Sequence, residues 1–346
     1  MSYDLNKKFV VAISSRALFD LNREDAIFRR HGVEMFIAHQ KRHSQKKLEP
    51  GPAFWLVDAL LKLNEFLDDS PIEVVLVSRN SPAAALRVRK SLDGHDIEIK
   101  RFWFASGDSV SPYLKAASVD LFLSANQDDV KSAHANGCAA GRVMGTPRKP
   151  VATDTNALRI AFDGDAVIFA EESERIYKDQ GISEFLKHEE TNEDVVIPDG
   201  PFANIFRKIG ELRAGLPAEH KDKVKIGLFT ARNAPADKRV LKTIEEWGVV
   251  PDHLAFLGGV SKEKTIQAFS PHIYFDDQAT HLIPVSRSHS VAMVPSSLAD
   301  DLGEIPDCPG CGDKMVKRMA RKVPYNGKEF WGCQNFPRCC ETISIP

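Results

Sequence analysis

The stretch LRIAFDGDAVIF, residues 158–169, decides the fold. It begins with a short apolar run of the kind that forms a strand buried in a parallel sheet, and this run ends in two aspartates, Asp163 and Asp165. Gly164 between them allows tight backbone geometry. Because ligands of open parallel sheets bind beyond the carboxyl ends of the strands, the segment predicts a sheet with a polar site at its edge.

The chain contains an internal repeat. Residues 24–40, EDAIFRRHGVEMFIAHQ, resemble residues 173–189, SERIYKDQGISEFLKHE, at an offset of 149. Further along, VVLVSRNSPAAALRVRKSL (74–92) resembles IGLFTARNAPADKRVLKTI (226–244). Ordered matches at nearly constant spacing predict a duplication. The alternative is two unrelated α/β segments that share strand-turn-helix composition.

Each copy alternates short apolar strands with amphipathic helices, which indicates an α/β protein with parallel sheets. A length of 346 residues suits two or three domains. We expect a first domain over residues 1–148, a second over 149–304 with a small cap insert at about 170–222, and a third over 305–346. The Pro- and Thr-rich stretch at 145–157 is the expected linker.

The overall composition is that of a soluble globular protein. Hydrophobic residues make up 43% and charged residues 27%, and the formal net charge of -2 gives no general attraction to polyanions. No run approaches the ~18 apolar residues of a membrane span, and the N-terminus lacks a signal-peptide pattern. We therefore expect a cytoplasmic protein without membrane attachment, and an oligomer is compatible with the sequence.

Polar residues follow other strands of the second copy. Thr230 ends the strand in GLFTARN, Lys262 follows in GGVSKEK, and Asp276-Asp277 ends the strand in IYFDDQ. Carboxylate oxygens are ligands that Mg²⁺ prefers, so these residues indicate phosphotransfer at a magnesium site. Lys264 is an alternative to Lys262 as the lysine of the site.

This ordered set resembles the haloacid dehalogenase superfamily, whose motifs are DxDx(T/V), a strand-terminal Thr or Ser, a Lys and an acidic pair. The resemblance implies two tandem haloacid-dehalogenase-like Rossmannoid domains, of which the first is degenerate. It implies that Asp163 is the nucleophile and that Asp165 is the general acid and then the general base. It also implies that Thr230, Ala231 and Lys262 bind the phosphate, and that Asp163, Asp165 (through its backbone carbonyl), Asp276 and Asp277 bind Mg²⁺.

From about residue 8 to 295 the chain is similar to the cytosolic 5′-nucleotidase I family. That resemblance implies hydrolysis of nucleoside 5′-monophosphates, AMP prominently, to nucleoside and phosphate. The alternatives are a phosphatase of another small phosphate ester and a nucleic-acid-associated phosphatase guided by the C-terminal module. The similarity rests on SSRALFD (14–20), PGPAF (50–54), LVSRNSP (76–82), DLFLSA (120–125), FDGDAVIF (162–169) and FDDQ (275–278).

The first copy lacks the reactive residues of the second. We therefore expect it to be either a structural partner or a site for substrate or effector. In the second case Arg16 and Arg79 would hold a phosphate; otherwise they would pair with local carboxylates. Superposing the copies by sequence places Ser14, Ser15 and Arg16 at Asp163, Gly164 and Asp165, Val77 at Thr230, and Ser124-Ala125 at Asp276-Asp277.

The cap insert is expected to determine specificity. Tyr177 and Phe185 in its helical stretch are candidates to stack on a nucleobase, although aromatics at helical spacing are more often part of a core.

The C-terminal segment has the spacing of a zinc site. Five of the six cysteines lie between residues 308 and 340. Two pairs about twenty residues apart, Cys308/Cys311 and Cys333/Cys339, predict a structural Zn²⁺ bound by four thiolates, with Cys339 preferred to Cys340. The segment resembles the zinc ribbons of bacterial type I topoisomerases at CPxCGxxM, FWGC and FPxC. It carries more Lys and Arg than Asp and Glu, with aromatics interleaved, so single-stranded nucleic acid is a candidate partner.

Overall fold

The computed structural model describes residues 3–80, 82–145, 147, 157–297, 308–309, 315–319, 329–333, 336–337 and 339–344. The chain divides into two compact units, residues 1–299 and 300–346. Most of the expected linker at 145–157, including the boundary at 148/149, lies outside the described residues.

The first unit contains ten strands and twelve α-helices among its described residues, with three short 3-10 turns at Leu5–Lys7, Asn64–Phe66 and Ala218–Lys223. The strands are β1 (Phe9–Ile13), β2 (Ile72–Ser78), β3 (Arg101–Phe104), β4 (Leu121–Ser124), β5 (Ala139–Gly145), β6 (Leu158–Phe162), β7 (Val224–Thr230), β8 (His253–Phe256), β9 (Ile273–Asp276) and β10 (Ser290–Met293). The helices are α1 (Ser15–Leu18), α2 (Asn22–Arg42), α3 (Phe54–Leu63), α4 (Pro82–Gly94), α5 (Ser111–Ala116), α6 (Gln127–Ala135), α7 (Glu172–Gln180), α8 (Ile182–Thr191), α9 (Ala203–Gly215), α10 (Asp237–Glu246), α11 (Glu263–Phe269) and α12 (Ala279–Ser286).

All ten strands form one sheet in the order β3-β2-β1-β4-β5-β10-β9-β6-β7-β8. The strands within each half are parallel, and the halves meet where β5 pairs antiparallel with β10. The predicted α/β class with a large parallel sheet is confirmed. Because of the antiparallel junction, the carboxyl ends of the strands in the two halves face opposite edges of the sheet.

Helices cover both faces of the sheet. Apolar side chains of α3, α4, α9 and α10 join one core that runs across both halves. On the other face, α5 and α6 cover the first half and α11 and α12 cover the second. Central strands such as β1 are buried along their whole length, which explains why their sequences are continuously apolar rather than alternating.

The two halves share local geometry as well as strand order. Near its midpoint α2 contains Gly32 in a non-helical conformation with φ 78° and ψ −177°, and Gly181 joins α7 to α8 with φ 83° and ψ 178°. The register corrects one detail of the sequence superposition, because β2 ends at Ser78 as β7 ends at Thr230. Ser78, and not Val77, therefore occupies the position of Thr230.

The expected cap insert at 170–222 contains α7, α8 and α9. Helix α9 buries Ile205, Phe206 and Ile209 in the core, so it belongs to the layer that covers the sheet. Helices α7 and α8 form a separate helix pair. No helix in the described ranges is long and apolar enough to cross a membrane.

The second unit contains a three-stranded antiparallel sheet, β11 (Met315–Met319), β12 (Glu329–Cys333) and β13 (Thr342–Ser344), in that order. Its small buried cluster consists of Cys308, Met315 and Cys333, with Trp331 and Ile343 packed against it. A core of this size contributes little stability by itself, so such a domain needs a further source of stability such as a metal.

Candidate active site

Asp163 directly follows β6 in the centre of the second half. Its N–H donates to the carbonyl of Phe275 on the adjacent β9 (2.8 Å), which fixes its backbone at the strand edge. Its Oδ1 accepts hydrogen bonds from the N–H of Gly164 (2.7 Å) and from the Nζ of Lys262 (2.7 Å). Burial disfavours the charged form and raises the pKa of Asp163 to about 7, although Lys262 opposes this shift.

Lys262 lies immediately before α11 and is almost fully buried. Its Nζ contacts Oδ1 of Asp163 at 2.7 Å and Oδ2 of Asp276 at 3.0 Å. Burial acts to lower the pKa of Lys262, but the two carboxylates outweigh it and raise the pKa. Lys264 is exposed, so the geometry favours Lys262 as the lysine of the site.

Asp276, at the end of β9, is surrounded by donors. Its carboxylate accepts from Lys262, from the hydroxyl of Tyr274, and from the backbone N–H of Gln278 (2.7 Å), and the Nδ1 of His281 lies 3.1 Å from Oδ2. Burial acts to raise the pKa of Asp276, but the charge of Lys262 and the contact with His281 lower it to about 2.

Asp277 is fully buried, and within the described part of the chain neither carboxylate oxygen has a hydrogen-bond partner. Burial, followed by repulsion from Asp276 and Asp163, raises its pKa to about 9. A buried, unpaired carboxylate is strongly unfavourable unless a cation neutralises it.

The donor set fits a divalent cation. Three buried carboxylates, those of Asp163, Asp276 and Asp277, lie with a single lysine, which leaves negative charge unbalanced. One ligand atom each from Asp163, Asp276 and His281 lie within 4.8 Å of one another. Oxygen-rich sites of this kind suit Mg²⁺. His281 could not be selected from the sequence, because a histidine five residues after an aspartate has no distinctive spacing.

Asp165 is held by Arg232, a residue to which the sequence assigned no role. The guanidinium binds both oxygens of the carboxylate, with Nε 2.8 Å from Oδ2 and Nη2 2.6 Å from Oδ1. Both side chains are largely buried. Burial acts to lower the pKa of Arg232, but Asp165 and Glu189 raise it further above its usual range.

Arg232 also connects the site to the α7–α8 helix pair. Its Nη1 donates to Oε2 of Glu189 on α8, and its guanidinium lies 5.5 Å from the ring centroid of Phe185. Oε1 of Glu189 accepts from the hydroxyl of Ser173 on α7 (2.7 Å) and from Nη1 of Arg239 (3.2 Å).

The two remaining residues expected to bind phosphate lie at the carboxyl end of β7, Thr230 as its last residue and Ala231 directly after it. Thr230 is fully buried, and its Oγ1 accepts from the N–H of Arg232 at 3.2 Å. A Cβ added to Gly164 would lie 3.2 Å from the same Oγ1, so glycine allows the β6 and β7 ends to approach closely. Ala231 is exposed at the strand end. The structure therefore brings Gly164 and Thr230 together beside Asp163.

Of the two aromatics considered for base stacking, Tyr177 is about half exposed, whereas Phe185 is buried. Their rings meet edge to face with centroids 6.1 Å apart. Because Phe185 packs beneath Arg232, only Tyr177 has a face available to a ligand.

The corresponding positions of the first half carry no comparable site. The N–H of Ser14 donates to the carbonyl of Leu123 (2.9 Å), as that of Asp163 does to Phe275. Both arginines considered as phosphate ligands bind local carboxylates instead: Arg16 contacts Asp25 at 2.9 Å and Arg79 contacts Asp129 at 2.7 Å.

In the C-terminal unit, the sulfur atoms of Cys308, Cys333 and Cys339 lie within 4.8 Å of one another. Cys340 is exposed, and its sulfur points to the carbonyl of Pro337 (3.4 Å). The expected fourth ligand, Cys311, lies outside the described residues.

A family model matches each of the two compact units. A family model described as 5'-nucleotidase matches residues 1–301, and one described as topoisomerase DNA binding C4 zinc finger matches residues 305–346. Human cytosolic 5'-nucleotidase 1B is 32% identical over 292 residues, which cover 82% of this chain and 48% of the human protein. The chain thus spans about half the length of that relative.

Two solved structures show weak similarity to this chain. An O-GlcNAc transferase mutant of Thermobaculum terrenum shares 9% identity, with a TM-score of 0.19 over 79% of this chain and 49% of its own. Histidinol dehydrogenase of Elizabethkingia anophelis shares 10% identity, with a TM-score of 0.19 over 79% of this chain and 76% of its own. Scores this low carry no structural argument.

Proposed function

Because the chain belongs to the 5'-nucleotidase family, we propose that it is a Mg²⁺-dependent enzyme that hydrolyses nucleoside 5′-monophosphates, AMP among them, to nucleoside and phosphate. One observation carries the proposal: Asp163 and Asp276 share the buried Lys262 beside the unpaired carboxylate of Asp277. This arrangement offers a nucleophile, a fixed positive charge and a cation site at one strand edge.

The first step forms an aspartyl-phosphate. Lys262 and Gly164 hold Oδ1 of Asp163, and we assign the attack on phosphorus to Oδ2. The bond between Oδ2 and phosphorus forms as the bond from phosphorus to the 5′ oxygen breaks, and Asp165 donates a proton to that oxygen. Lys262, Thr230 and the backbone of Ala231 hold the phosphoryl oxygens and offset the charge that builds on them.

In the second step a water oxygen bonds to phosphorus as the bond between phosphorus and Oδ2 of Asp163 breaks, and Asp165 accepts the proton of the water. Inorganic phosphate leaves, and the carboxylate of Asp163 and the protonated Asp165 are restored. Mg²⁺, when bound, would stabilise negative charge on the phosphoryl oxygens. The residues that would hold it are Asp163, Asp276, Asp277 and the backbone carbonyl of Asp165.

A panel of phosphate esters tests the proposal. The full chain with Mg²⁺ should release phosphate from AMP or IMP. If it releases no phosphate from either, it is not a nucleotidase. Turnover of other small phosphate esters alone would support the alternative phosphatase. Asp163→Asn should abolish turnover while the melting temperature stays at or above that of the wild type, because the substitution removes a buried carboxylate.

A second candidate function comes from the match of residues 305–346 to a DNA-binding zinc finger. A ribbon bound to single-stranded nucleic acid would direct the phosphatase to terminal phosphates. Binding should then weaken steeply with salt. A gel shift with the full chain and with a chain that ends at residue 305 tests this, and equal shifts for the two chains would contradict it.

The architecture follows from the same reasoning. We propose that residues 1–148 and 149–304 are tandem haloacid-dehalogenase-like copies, and that the first is a structural partner of the catalytic copy. In the third domain, Cys308, Cys311, Cys333 and Cys339 would hold a structural Zn²⁺. Thiolate zinc sites suit a reducing compartment, which supports a cytoplasmic location.

A further inference from the structure

A buried chain of ion pairs leads from the active site into the α7–α8 helix pair. Asp165 binds Arg232 through both oxygens, Arg232 binds Glu189, and Glu189 binds Arg239. The side chains of Arg232, Glu189 and Arg239 are at most 3% exposed. Burying so many charges has a high desolvation cost, so the arrangement needs a reason beyond surface pairing.

The first half contains the same structural anchor. Arg239 donates its Nε to the carbonyl of Val195 (2.9 Å) and its Nη1 to Glu189 (3.2 Å). At the equivalent position, Arg87 donates its Nε to the carbonyl of Lys46 (3.0 Å) and its Nη1 to Gln40 (2.9 Å). An arginine therefore fastens the helix pair in both halves, with or without a reactive site.

The remaining ion pairs of this series, those of Arg232 with Asp165 and with Glu189, occur only in the second half. Asn80 lies two residues after the end of β2, as Arg232 lies two residues after the end of β7. The Nδ2 of Asn80 donates to the hydroxyl of Ser15 (3.0 Å). Arg16 stands at the position of Asp165, and Gln40 at that of Glu189. In the first half Arg87 pairs instead with the buried Glu24 on α2 (2.6 Å), which stands at the position of Ser173. The first half thus keeps its helix pair in place without an arginine at the position of Arg232. The three residues differ together in the half that lacks a nucleophile.

We propose that Arg232 is a positioning residue that fixes the place of Asp165 and, through Glu189, couples that place to the α7–α8 helix pair. The inference rests on the proposed role of Asp165 as acid and base. Since the guanidinium takes both oxygens, proton transfer to the 5′ oxygen requires one hydrogen bond to give way to the substrate. The second hydrogen bond from Arg232 keeps the Asp165 carboxylate directed at the reacting atoms. The contact with Glu189 holds the guanidinium in place when the carboxylate moves.

Steady-state kinetics on AMP with Mg²⁺ test the proposal in single and double variants. Arg232→Gln should lower kcat about 100-fold with KM within about threefold, because a misplaced acid slows the chemical step and leaves substrate binding intact. Arg232→Lys keeps the positive charge but cannot donate to both oxygens of Asp165 at once. It should have a kcat between those of Arg232→Gln and the wild type. In an Asp165→Asn background, Arg232→Gln should produce no further loss.

Glu189→Gln provides a second test if Arg232→Gln fails to fold, because the first half already holds glutamine at this position. We expect about a tenfold loss of kcat with unchanged KM. Arg87→Lys, at the first-half counterpart of Arg239, is the control for a buried helix-pair contact outside the proposed site and should leave kcat unchanged. A kcat equal to the wild type in Glu189→Gln overturns the proposal. A rise in KM that persists in the Asp165→Asn background also overturns it, because Arg232 would then bind substrate directly.

Failure of the proposed function would look different. If the wild type releases no phosphate from AMP or IMP, the nucleotidase assignment fails whatever the variants do. A crystal structure of Glu189→Gln then decides the inference alone: the two-oxygen contact between Arg232 and Asp165 should be lost or rotated, and an unchanged contact refutes the coupling.

Discussion

The burial of Asp277 without a hydrogen-bond partner allows a quantitative prediction of how the stability of the metal-free protein depends on this residue. We consider Asp277→Asn, which preserves shape and removes the charge. The pKa of Asp277 is about 9 in the folded chain, so between about pH 4 and pH 9 the folded state holds a proton that the unfolded state has released. Stability of the metal-free wild type should therefore fall as pH rises through this window.

The magnitude follows from the shift. Near pH 7.5, protonating an ordinary aspartate costs about 5 kcal/mol, at about 1.36 kcal/mol for each pKa unit. Relaxation and water penetration reduce this figure, and we expect Asp277→Asn to gain about 2–3 kcal/mol without metal. For a unit of this size the gain corresponds to a melting temperature higher by about 3–5 °C.

The assay is thermal unfolding in a chelator and again with added Mg²⁺, near pH 6 and near pH 8.5. Mg²⁺ should stabilise the wild type more at the higher pH, and it should stabilise Asp277→Asn less than the wild type, because a ligand is lost. Asp108→Asn, at an exposed aspartate, is the control and should change little. If Asp277→Asn is less stable than the wild type without metal, the buried acid does not destabilise the metal-free fold. If it gains as much stability from Mg²⁺ as the wild type does, Asp277 is not a metal ligand.

Three further predictions concern single positions. Lys262→Met should destabilise the fold by about 3–5 kcal/mol in urea unfolding, because two buried carboxylates lose their shared cation, whereas exposed Lys264→Met should cost under about 0.5 kcal/mol; equal losses would contradict the burial argument. Cys339→Ser should release zinc to a chromogenic chelator faster than Cys340→Ser, and the reverse order would reassign the ligand. Gly200→Ala should cost about 2–3 kcal/mol, since its Cβ would lie 2.3 Å from a backbone oxygen, and an unchanged melting temperature would show that the backbone relaxes.

The grouping of polar residues at the strand ends was predictable because each motif is a short contiguous string. Asp163 and Asp276 follow apolar runs that leave little choice but buried strands, and parallel strands necessarily bring such ends to one edge. The preference for Lys262 over Lys264 depended on family resemblance, and burial supports the same choice.

The contacts of Asp165 were not predictable in this way. Its partner Arg232 lies 67 residues away, and the helix that carries Glu189 has no sequence signal for a buried ion pair. The arginine was visible in the string TARN, but the similarity of that string to Arg79-Asn80 drew the superposition one residue out of register. The strand pairing shows that Asn80 is the counterpart of Arg232. The sequence alignment instead matched the identical residues Arg79-Asn80 and Arg232-Asn233.

The two halves satisfy their polar groups in opposite ways, and this difference separates stability from function. In the first half Ser15 and Ser78 bond each other (2.9 Å) and Asn80 completes the cluster, so these polar groups satisfy one another. In the second half a carboxylate without a hydrogen-bond partner remains buried at Asp277. Buried polar groups that lack a partner usually belong to functional sites, and the rest of the fold offsets their cost in stability. The core that runs across both halves provides that support, since it attaches a half whose strand-end polar groups bond one another to a half whose strand-end carboxylate needs a cation.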